Sequence, residues 1–74
     1  MPVDDLENHV RDRRRARRMT QAELAAATGV SRQTIISIEG GNYAPSVYLA
    51  LRIAATLGSS VDALFAITAK EDLS

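Results

Sequence analysis

The stretch from Thr20 to Glu39 limits what this chain can fold into more than any other part of the sequence. Thr20 and Glu23 form a capping box, in which the threonine hydroxyl accepts a hydrogen bond from the amide of Glu23 and the glutamate carboxylate accepts one from the amide of Thr20. A helix is therefore predicted to begin at Gln21. Gly29 is predicted to end it, because glycine adopts the left-handed conformation without a steric penalty at Cβ.

A second short helix is predicted after the glycine turn. Ser31 is a favoured N-cap residue, and Ile35 and Ile38 recur at the spacing that places side chains on one face of a helix. The first helix offers Leu24 and Ala25 to the same core, and the small alanine lets another helix cross close by. The stretch is thus predicted to form two short helices packed across a tight turn.

The residues that define this stretch also carry a resemblance to a known family. The matching positions are Gln21, Leu24, Ala25, Gly29, Val30, Ile35 and Ile38. This pattern resembles the helix-turn-helix of the phage lambda repressor and Cro family, also called the XRE-like family of bacterial regulators. The run EGGNYAPSVYLALRIAATLGSSVDALF is similar to the family's continuation, so the resemblance covers roughly Val10 to Phe65. It implies an all-α, compact DNA-binding domain of five short helices, with the helix-turn-helix at the second and third.

The length of the chain indicates one small domain. At 74 residues it has room for a single modest core, so we expect one helix-turn-helix domain over residues 1–74, with its core at about 6–66 and flexible termini. The first helix is predicted from about Leu6 to Arg18, on a thin apolar stripe. A later helix is predicted from Ser46 to Leu57, with Val47 among its core residues.

The end of the chain carries weaker signals. Gly58 is predicted to stop the long helix, and either Ser59 or Ser60 to cap a final short one. The tail that begins at Ile67 has no clear periodicity. A short strand and a disordered end both remain open for it.

The composition favours a soluble, cytoplasmic protein. The absence of cysteine excludes disulfides and thiolate chemistry and fits a reducing compartment. The N-terminus lacks the pattern of a secretory signal, and no apolar run approaches the ~20 residues that span a bilayer. We therefore expect no membrane partner.

Charge is distributed unevenly along a chain whose formal net charge is zero. Seven arginines lie between Asn8 and Ser37, opposed only by Asp12 and Glu23, whereas acidic residues outnumber basic ones from Ile38 onward. Such an arrangement favours a protein that approaches a polyanion with one face. For most members of the run RDRRRARR, a solvated helix face is an equally good interpretation.

The sequence offers no catalytic or metal-binding constellation. His9 is the only histidine, and no cysteine or paired carboxylate accompanies it. Asp4 and Asp5 are adjacent and point in different directions on a helix. Gly40 and Gly41 lack the strand and lysine of a phosphate-binding loop. We therefore expect no enzyme activity, no catalytic or metal-ligating residue and no cofactor.

The outward face of the second helix carries the side chains suited to reading DNA. With Ile35 and Ile38 turned inward, Arg32, Gln33 and Ser37 lie on the opposite side. Arginine offers a bidentate fork to guanine and glutamine does the same for adenine, each discriminating by ~1–3 kcal/mol. The resemblance implies that DNA is read from these positions, so all three are expected base contacts.

Ile36 lies on the same outward face, where the family commonly has a small polar residue. One interpretation is that Ile36 contacts the methyl group of a thymine, and it is therefore also a candidate base contact. The other is additional core burial through a slight rotation of the helix. Both remain open.

Phosphate contacts are expected around the helix ends, where free amides and the helix dipole favour anions. The family often has an asparagine and a basic residue where this chain has Gly40 and Asn42, so the loop after Glu39 is expected to bind the DNA backbone weakly. Ser31 has a competing role as the cap. The expected phosphate contacts are Gln21, Ser31, Thr34, Arg18, Asn42 and Tyr43.

The resemblance also implies a structural ion pair. In the family, an arginine of the first helix pairs with a glutamate just after the recognition helix, and the corresponding residues are Arg14 and Glu39. Such a pair would fix the first helix against the third. The sequence departs from the family at Arg13, where an apolar residue is more common.

One recognition helix reads only a few base pairs, so the resemblance implies a homodimer on a palindromic operator of double-stranded DNA. The apolar residues near the C-terminus either form the dimer surface or complete the core. They are Val61, Leu64, Phe65 and Ile67.

The simplest role for such a protein is a transcriptional repressor. Two alternatives keep the fold and change the role. In the first alternative, the chain is the antitoxin of a toxin–antitoxin pair, which covers a toxin partner and regulates its own synthesis. In the second, it is a protein-interaction module without DNA binding. The missing basic residue at Asn42 favours the latter.

Overall fold

Five short helices and two short strands make up the fold. The computed structural model describes residues 6–67, and the termini that we expected to be flexible lie outside this range. The elements in chain order are β1 (Leu6–Asn8), α1 (Val10–Ala16), α2 (Gln21–Thr28), α3 (Arg32–Glu39), α4 (Val47–Leu57), α5 (Val61–Leu64) and β2 (Phe65–Ile67).

The two strands correct the expectation of an all-α fold. β1 and β2 pair antiparallel, with Leu6 opposite Ile67 and Asn8 opposite Phe65. The first helix therefore begins at Val10 and not near Leu6 as predicted. The two strands lie at opposite ends of the described chain, so their pairing depends on the fold that brings those ends together, and it overrides a thin helical stripe. Of the tail for which a strand and a disordered end remained open, only Ile67 lies within the described residues, and it is the last residue of β2. Residues 68–74 lie outside the described range.

The local signals of the helix-turn-helix are confirmed. Both hydrogen bonds of the capping box between Thr20 and Glu23 are present, and Gly29 ends α2 in the left-handed conformation with φ 78°. The side chain of Ser31 accepts a hydrogen bond from the amide of Thr34 and so starts α3. α2 and α3 thus begin and end where short-range chemistry requires.

The ends of α4 and α5 follow the same rules. Ser46 caps α4, and Gly58 ends it with φ 63°. Of the two candidate caps for α5, Ser60 is the one whose side chain accepts the amide of Ala63.

The core lies between the helices and draws on each of the five. Val47 was predicted to belong to it and does not, since it is 76% exposed. It occupies the first turn of α4, beyond the edge of the core, and Leu49 is buried there instead. The core residues are Val10, Leu24, Ala25, Ile35, Ile38, Leu49, Ile53, Ala54, Leu57 and Leu64.

Burial of one face of α3 decides where its other face points. Ile35 and Ile38 are fully or almost fully buried, while Arg32 and Gln33 are exposed.

Between residues 6 and 67, no helix has the length and apolar character needed to cross a membrane.

Candidate nucleic-acid interface

The residues expected to read bases are not equally accessible. Arg32 and Gln33 are exposed at the start of α3, whereas Ile36 and Ser37 are half-buried one turn further on. The partial burial of Ile36 means that its side chain both packs inward and reaches the surface. The most accessible part of α3 is therefore its N-terminal turn.

The hydroxyls at the start of α3 are already engaged with each other. Ser31 Oγ accepts the amide of Thr34 at 3.1 Å, and the two side-chain oxygens lie 2.9 Å apart. The competing role that we foresaw for Ser31 as a cap is thus present. One of the two hydroxyls donates its proton to the other, so the pair forms a single hydrogen bond.

One side of α3 borders a shallow depression of about 300 Å³. It brings together residues expected to contact bases and residues expected to contact phosphates. Among the described residues, no charged side chain lines it. The lining residues are Ser31, Gln33, Thr34, Ser37, Asn42 and Tyr43.

The other side of α3 borders a larger depression of about 460 Å³, which we call the arginine cleft. It lies between α1, the start of α2 and the start of α3. Its lining residues are Arg11, Arg14, Arg15, Thr20, Gln21, Ala22 and Arg32. We had not singled out Arg11 and Arg15, although their spacing of four along a helix was a signal that they share one face.

Arg14 and Glu39 form an ion pair beneath the arginine cleft. Arg14 Nε donates to Glu39 Oε2 at 2.7 Å and Arg14 Nη2 donates to Glu39 Oε1 at 3.2 Å. Arg14 Nη1 donates to the carbonyl of Met19 at 2.8 Å. Glu39's side chain is only 1% exposed, and that of Arg14 is nearly buried. The bidentate geometry joins α1 to the C-terminal end of α3.

Gln21 belongs to the same network. Its Nε2 donates to Glu39 Oε1 at 3.2 Å, so the side chain that we expected to contact phosphate is directed inward to the glutamate. Arg11 Nε lies 3.9 Å from the same oxygen. α1 and α2 therefore both contribute donors to one carboxylate.

The environment of Glu39 has opposing effects on its pKa. Burial raises the pKa, but the hydrogen bonds from Arg14 and Gln21 and the charges of Arg14 and Arg11 lower it more, and the net pKa lies below its ordinary value. The carboxylate is thus held in its charged form.

Asn8 provides an attachment that we missed in the sequence. Its Nδ2 donates to the carbonyl oxygen of Ile38 at 3.0 Å, near the C-terminal end of α3. The same carbonyl also accepts the amide of Gly41 at 3.0 Å. Since we assigned Asn8 to a helix, no feature of the sequence pointed to this contact between β1 and α3.

Arg18, another expected phosphate contact, lies in the turn between α1 and α2. Its φ of 57° is the only positive value at a non-glycine residue between residues 6 and 67. The side chain is exposed and does not line the arginine cleft. Arg18 is thus available to solvent from a backbone conformation that is costly for a residue with a Cβ.

The expected dimer residues differ in accessibility. Leu64 is 0% exposed, so it belongs to the core and cannot form part of a surface in this fold. Ile67 is 62% exposed, and Val61 and Phe65 are half-buried. Val61 and Phe65 line an apolar groove of about 370 Å³. The other residues of the groove are Leu6, Ala44, Pro45, Val47, Ala50 and Leu51.

Comparison with known proteins gives this geometry its context. A helix-turn-helix family model matches residues 10–64. The chain belongs to the helix-turn-helix family. An uncharacterized HTH-type transcriptional regulator of Methanothermobacter thermautotrophicus is 53% identical over 49 residues, covering 66% of this chain and 71% of that protein. The uncharacterized HTH-type transcriptional regulator MJ0272 of Methanocaldococcus jannaschii is 43% identical over 60 residues, covering 81% and 91%.

Solved structures show the same helix-turn-helix fold. The clp gene regulator ClgR of Corynebacterium glutamicum has a TM-score of 0.70 at 31% identity, over 73% of this chain and 57% of that one. The restriction-modification controller protein C.AhdI of Aeromonas hydrophila has a TM-score of 0.68 at 26% identity, over 72% and 80%. The hydroxypropylphosphonic acid epoxidase of S. wedmorenis has a TM-score of 0.71 at 33% identity, but this chain spans only 30% of that enzyme.

Family membership and the named regulators place this helix-turn-helix protein among DNA-binding transcriptional regulators and not among enzymes. The likeness to the epoxidase concerns less than a third of that chain and transfers no activity. Within residues 6–67, the side chains that bind metals form no cluster of three or more.

Proposed function

We propose that this helix-turn-helix protein binds double-stranded DNA sequence-specifically, by placing the helix from Ser31 to Glu39 in the major groove. It acts as a single domain over residues 1–74, in the cytoplasm, and most simply as a transcriptional repressor. Arg32 and Gln33 supply the principal base contacts, with Ser37 as a third.

The observation that carries this proposal is the exposure of Arg32 and Gln33 beside a buried opposite face of the same helix. Two side chains capable of bidentate hydrogen bonds occupy consecutive positions at a capped helix start. Each is worth ~1–3 kcal/mol in discriminating its preferred base from the others. A helix exposed in this way on a scaffold of DNA-binding regulators is suited to direct readout.

The half-buried side chain of Ile36 either contacts DNA in the major groove or packs only into the core. If Ile36 contacts a thymine methyl, replacing that thymine by uracil weakens DNA binding by the wild-type protein. The same replacement leaves DNA binding by the Ile36→Ser variant unchanged. Equal loss on both DNAs after this substitution would instead assign Ile36 to the core.

Neutral phosphate contacts accompany the base contacts. Ser31, Thr34, Asn42 and Tyr43 line the same depression as Gln33, which places their polar groups at the edge of the proposed reading surface. We retain Gln21 and Arg18 as backbone contacts, Gln21 through the main chain at the start of α2. Such contacts position the protein without specifying sequence.

We further propose a homodimer that binds a palindromic operator, because one recognition helix reads too few base pairs alone. Val61, Phe65 and Ile67 form part of its surface, next to the exposed side chains of Val47 and Leu51. The half-sites are expected about one helical turn apart.

The apolar groove also favours a second candidate role, in which a protein partner such as a toxin covers it. All of the residues named for its lining are apolar, and two of them, Val47 and Leu51, are large and exposed. In that case the protein is an antitoxin that regulates its own synthesis. Co-expression with the product of a neighbouring gene, followed by size-exclusion chromatography, tests for a stable complex.

Selection of binding sites from random double-stranded DNA tests the proposed function. We expect an enriched motif with two inverted half-sites. Absence of any enriched motif, together with affinity no greater than weak non-specific binding at low salt, would contradict it.

A further inference from the structure

The arginine cleft and the depression on the opposite side of α3 differ in charge. Four arginines line the cleft, whereas the residues that line the depression in the described part of the chain carry no charge. We propose that Arg11 and Arg15, which line the cleft beside Arg32, bind phosphates of one DNA strand and supply most of the ionic part of the affinity. This inference rests on the proposed function and adds to it an unequal hold on the two sides of the recognition helix.

The charges of the cleft are largely uncompensated. Among residues 6–67, Glu39 is the only acidic residue within 4.0 Å of an arginine, and both Arg14 and Arg11 share its single carboxylate. The nearby carboxylate of Glu23 accepts the amide of Thr20 and so serves the capping box. The cleft therefore retains excess positive charge, which favours an anion.

The arginines of α1 differ in role, because one is hydrogen-bonded within the fold and two are exposed to a ligand. Arg14 turns inward and is engaged by Glu39 and the carbonyl of Met19. Arg11 and Arg15 lie on either side of it at a spacing of four, so both flank the same face of α1. Arg11 is 55% exposed and Arg15 is exposed. Both guanidinium groups are thus accessible to a ligand, although Arg11 Nε lies 3.9 Å from Glu39 Oε1, and their fork geometry suits phosphate.

Arg32 connects the cleft with the reading surface. It lines the cleft, and it is also the first residue of α3, directly before Gln33. A phosphate bound by Arg11 and Arg15 would therefore lie beside the base-reading turn. Binding there sets the register at which Gln33 meets the bases.

The opposite depression offers only neutral donors such as Asn42 and Tyr43. Neutral hydrogen bonds to phosphate release no counterions. Each arginine–phosphate contact releases counterions and makes the slope of log affinity against log salt more negative by ~0.9. The salt dependence should therefore depend on the cleft and not on the loop after α3.

The test measures affinity for the selected double-stranded DNA by fluorescence polarisation between about 50 and 200 mM salt. Arg11→Gln and Arg15→Gln are each expected to reduce the magnitude of the slope by ~0.9, and the double variant by about twice as much. Arg13→Gln is the matched control, because Arg13 is an exposed arginine of the same helix that does not line the cleft. We expect its slope to equal that of the wild-type protein.

Asn42→Ala provides a second control from the opposite depression, where the slope is expected to stay unchanged. If the wild-type protein binds DNA and the double variant keeps the full wild-type slope, this inference is overturned while the proposed function stands. Equal reductions for Arg13→Gln and Arg11→Gln would also overturn it, since they would show a general effect of net charge. Failure of the wild-type protein to bind DNA would overturn the proposed function and this inference together.

Discussion

The side-chain hydrogen bonds at the N-terminal end of α3 stay within its first turn, whereas its C-terminal end is hydrogen-bonded to three other elements. At the N-terminal end, Ser31 accepts the amide of Thr34 and the following side chains are exposed. At the C-terminal end, Glu39 accepts donors from α1 and α2, and the carbonyl of Ile38 accepts Asn8 of β1.

This difference separates stability from recognition along one helix. The C-terminal attachments orient α3 before any partner arrives, which lowers the entropic cost of binding. The N-terminal turn keeps its side chains available for the partner. Substitutions at the C-terminal attachments should therefore change stability, and substitutions at the N-terminal turn should change specificity.

The largest effect is expected from Arg14→Ala. Removing Arg14 leaves the buried carboxylate of Glu39 without its closest counter-charge, and breaking a buried ion pair costs ~3–5 kcal/mol. That is a large share of the ~4–11 kcal/mol expected for 74 residues. Urea unfolding measures it. Arg14→Lys keeps the charge but loses the fork, so its free energy of unfolding should lie between those of the wild type and Arg14→Ala. A loss below ~1 kcal/mol for Arg14→Ala would show that the pair does not hold α3.

The next effect concerns acid. Because the folded-state pKa of Glu39 is lowered, its contribution to stability is present above the ordinary pKa of about 4.5 and is lost as the pH falls through the lower, folded-state value. The stability difference between wild type and Glu39→Gln should therefore shrink as the pH falls from neutral to below about 4.5. Urea unfolding at several pH values measures it, and a constant difference would contradict the assignment.

A smaller effect is expected from Asn8→Ala. The carbonyl of Ile38 keeps its hydrogen bond from Gly41, so only one hydrogen bond is lost, at ~1 kcal/mol. Thermal unfolding measures it. Glu7→Ala is the matched control, because Glu7 is an exposed neighbour in the same strand. Equal losses in the two variants would remove any special role for Asn8.

The smallest effect on stability is expected at the N-terminal turn. Arg32→Ala and Gln33→Ala remove exposed side chains and should change the free energy of unfolding by less than ~0.5 kcal/mol. A loss comparable to that of Asn8→Ala would mean that these side chains support the fold, and it would end the distinction between the two ends of α3.

The sequence predicted those parts of the fold that depend on neighbouring residues. The capping box of Thr20 and Glu23, the turn at Gly29 and the cap at Ser31 act within a few residues, and each is present in the structure. Gly58 likewise ends α4. Local rules of this kind are written into consecutive positions and need no knowledge of the tertiary fold.

The remainder depended on contacts between distant residues. The pairing of Leu6 with Ile67 and the contact of Asn8 with Ile38 join segments that are far apart in the chain, so a helix-like pattern in β1 was misleading. Val47 has core spacing but lies beyond the core's edge.

The candidate site was predictable to a similar extent. The outward face of α3 followed from the inward positions of Ile35 and Ile38, since helical geometry fixes both. The arginine run did not reveal which members act together, because Arg11 and Arg15 meet Arg32 only in the folded protein.

The most direct test of sequence-specific reading compares wild type and Gln33→Ala on the selected DNA and on every single-base-pair variant of it. We predict that Gln33→Ala loses ~1–3 kcal/mol of discrimination at one base pair of each half-site and keeps wild-type preferences elsewhere. A uniform loss of affinity on all the DNAs, with the wild-type preferences intact, would contradict the claim that the N-terminal turn of α3 reads the bases.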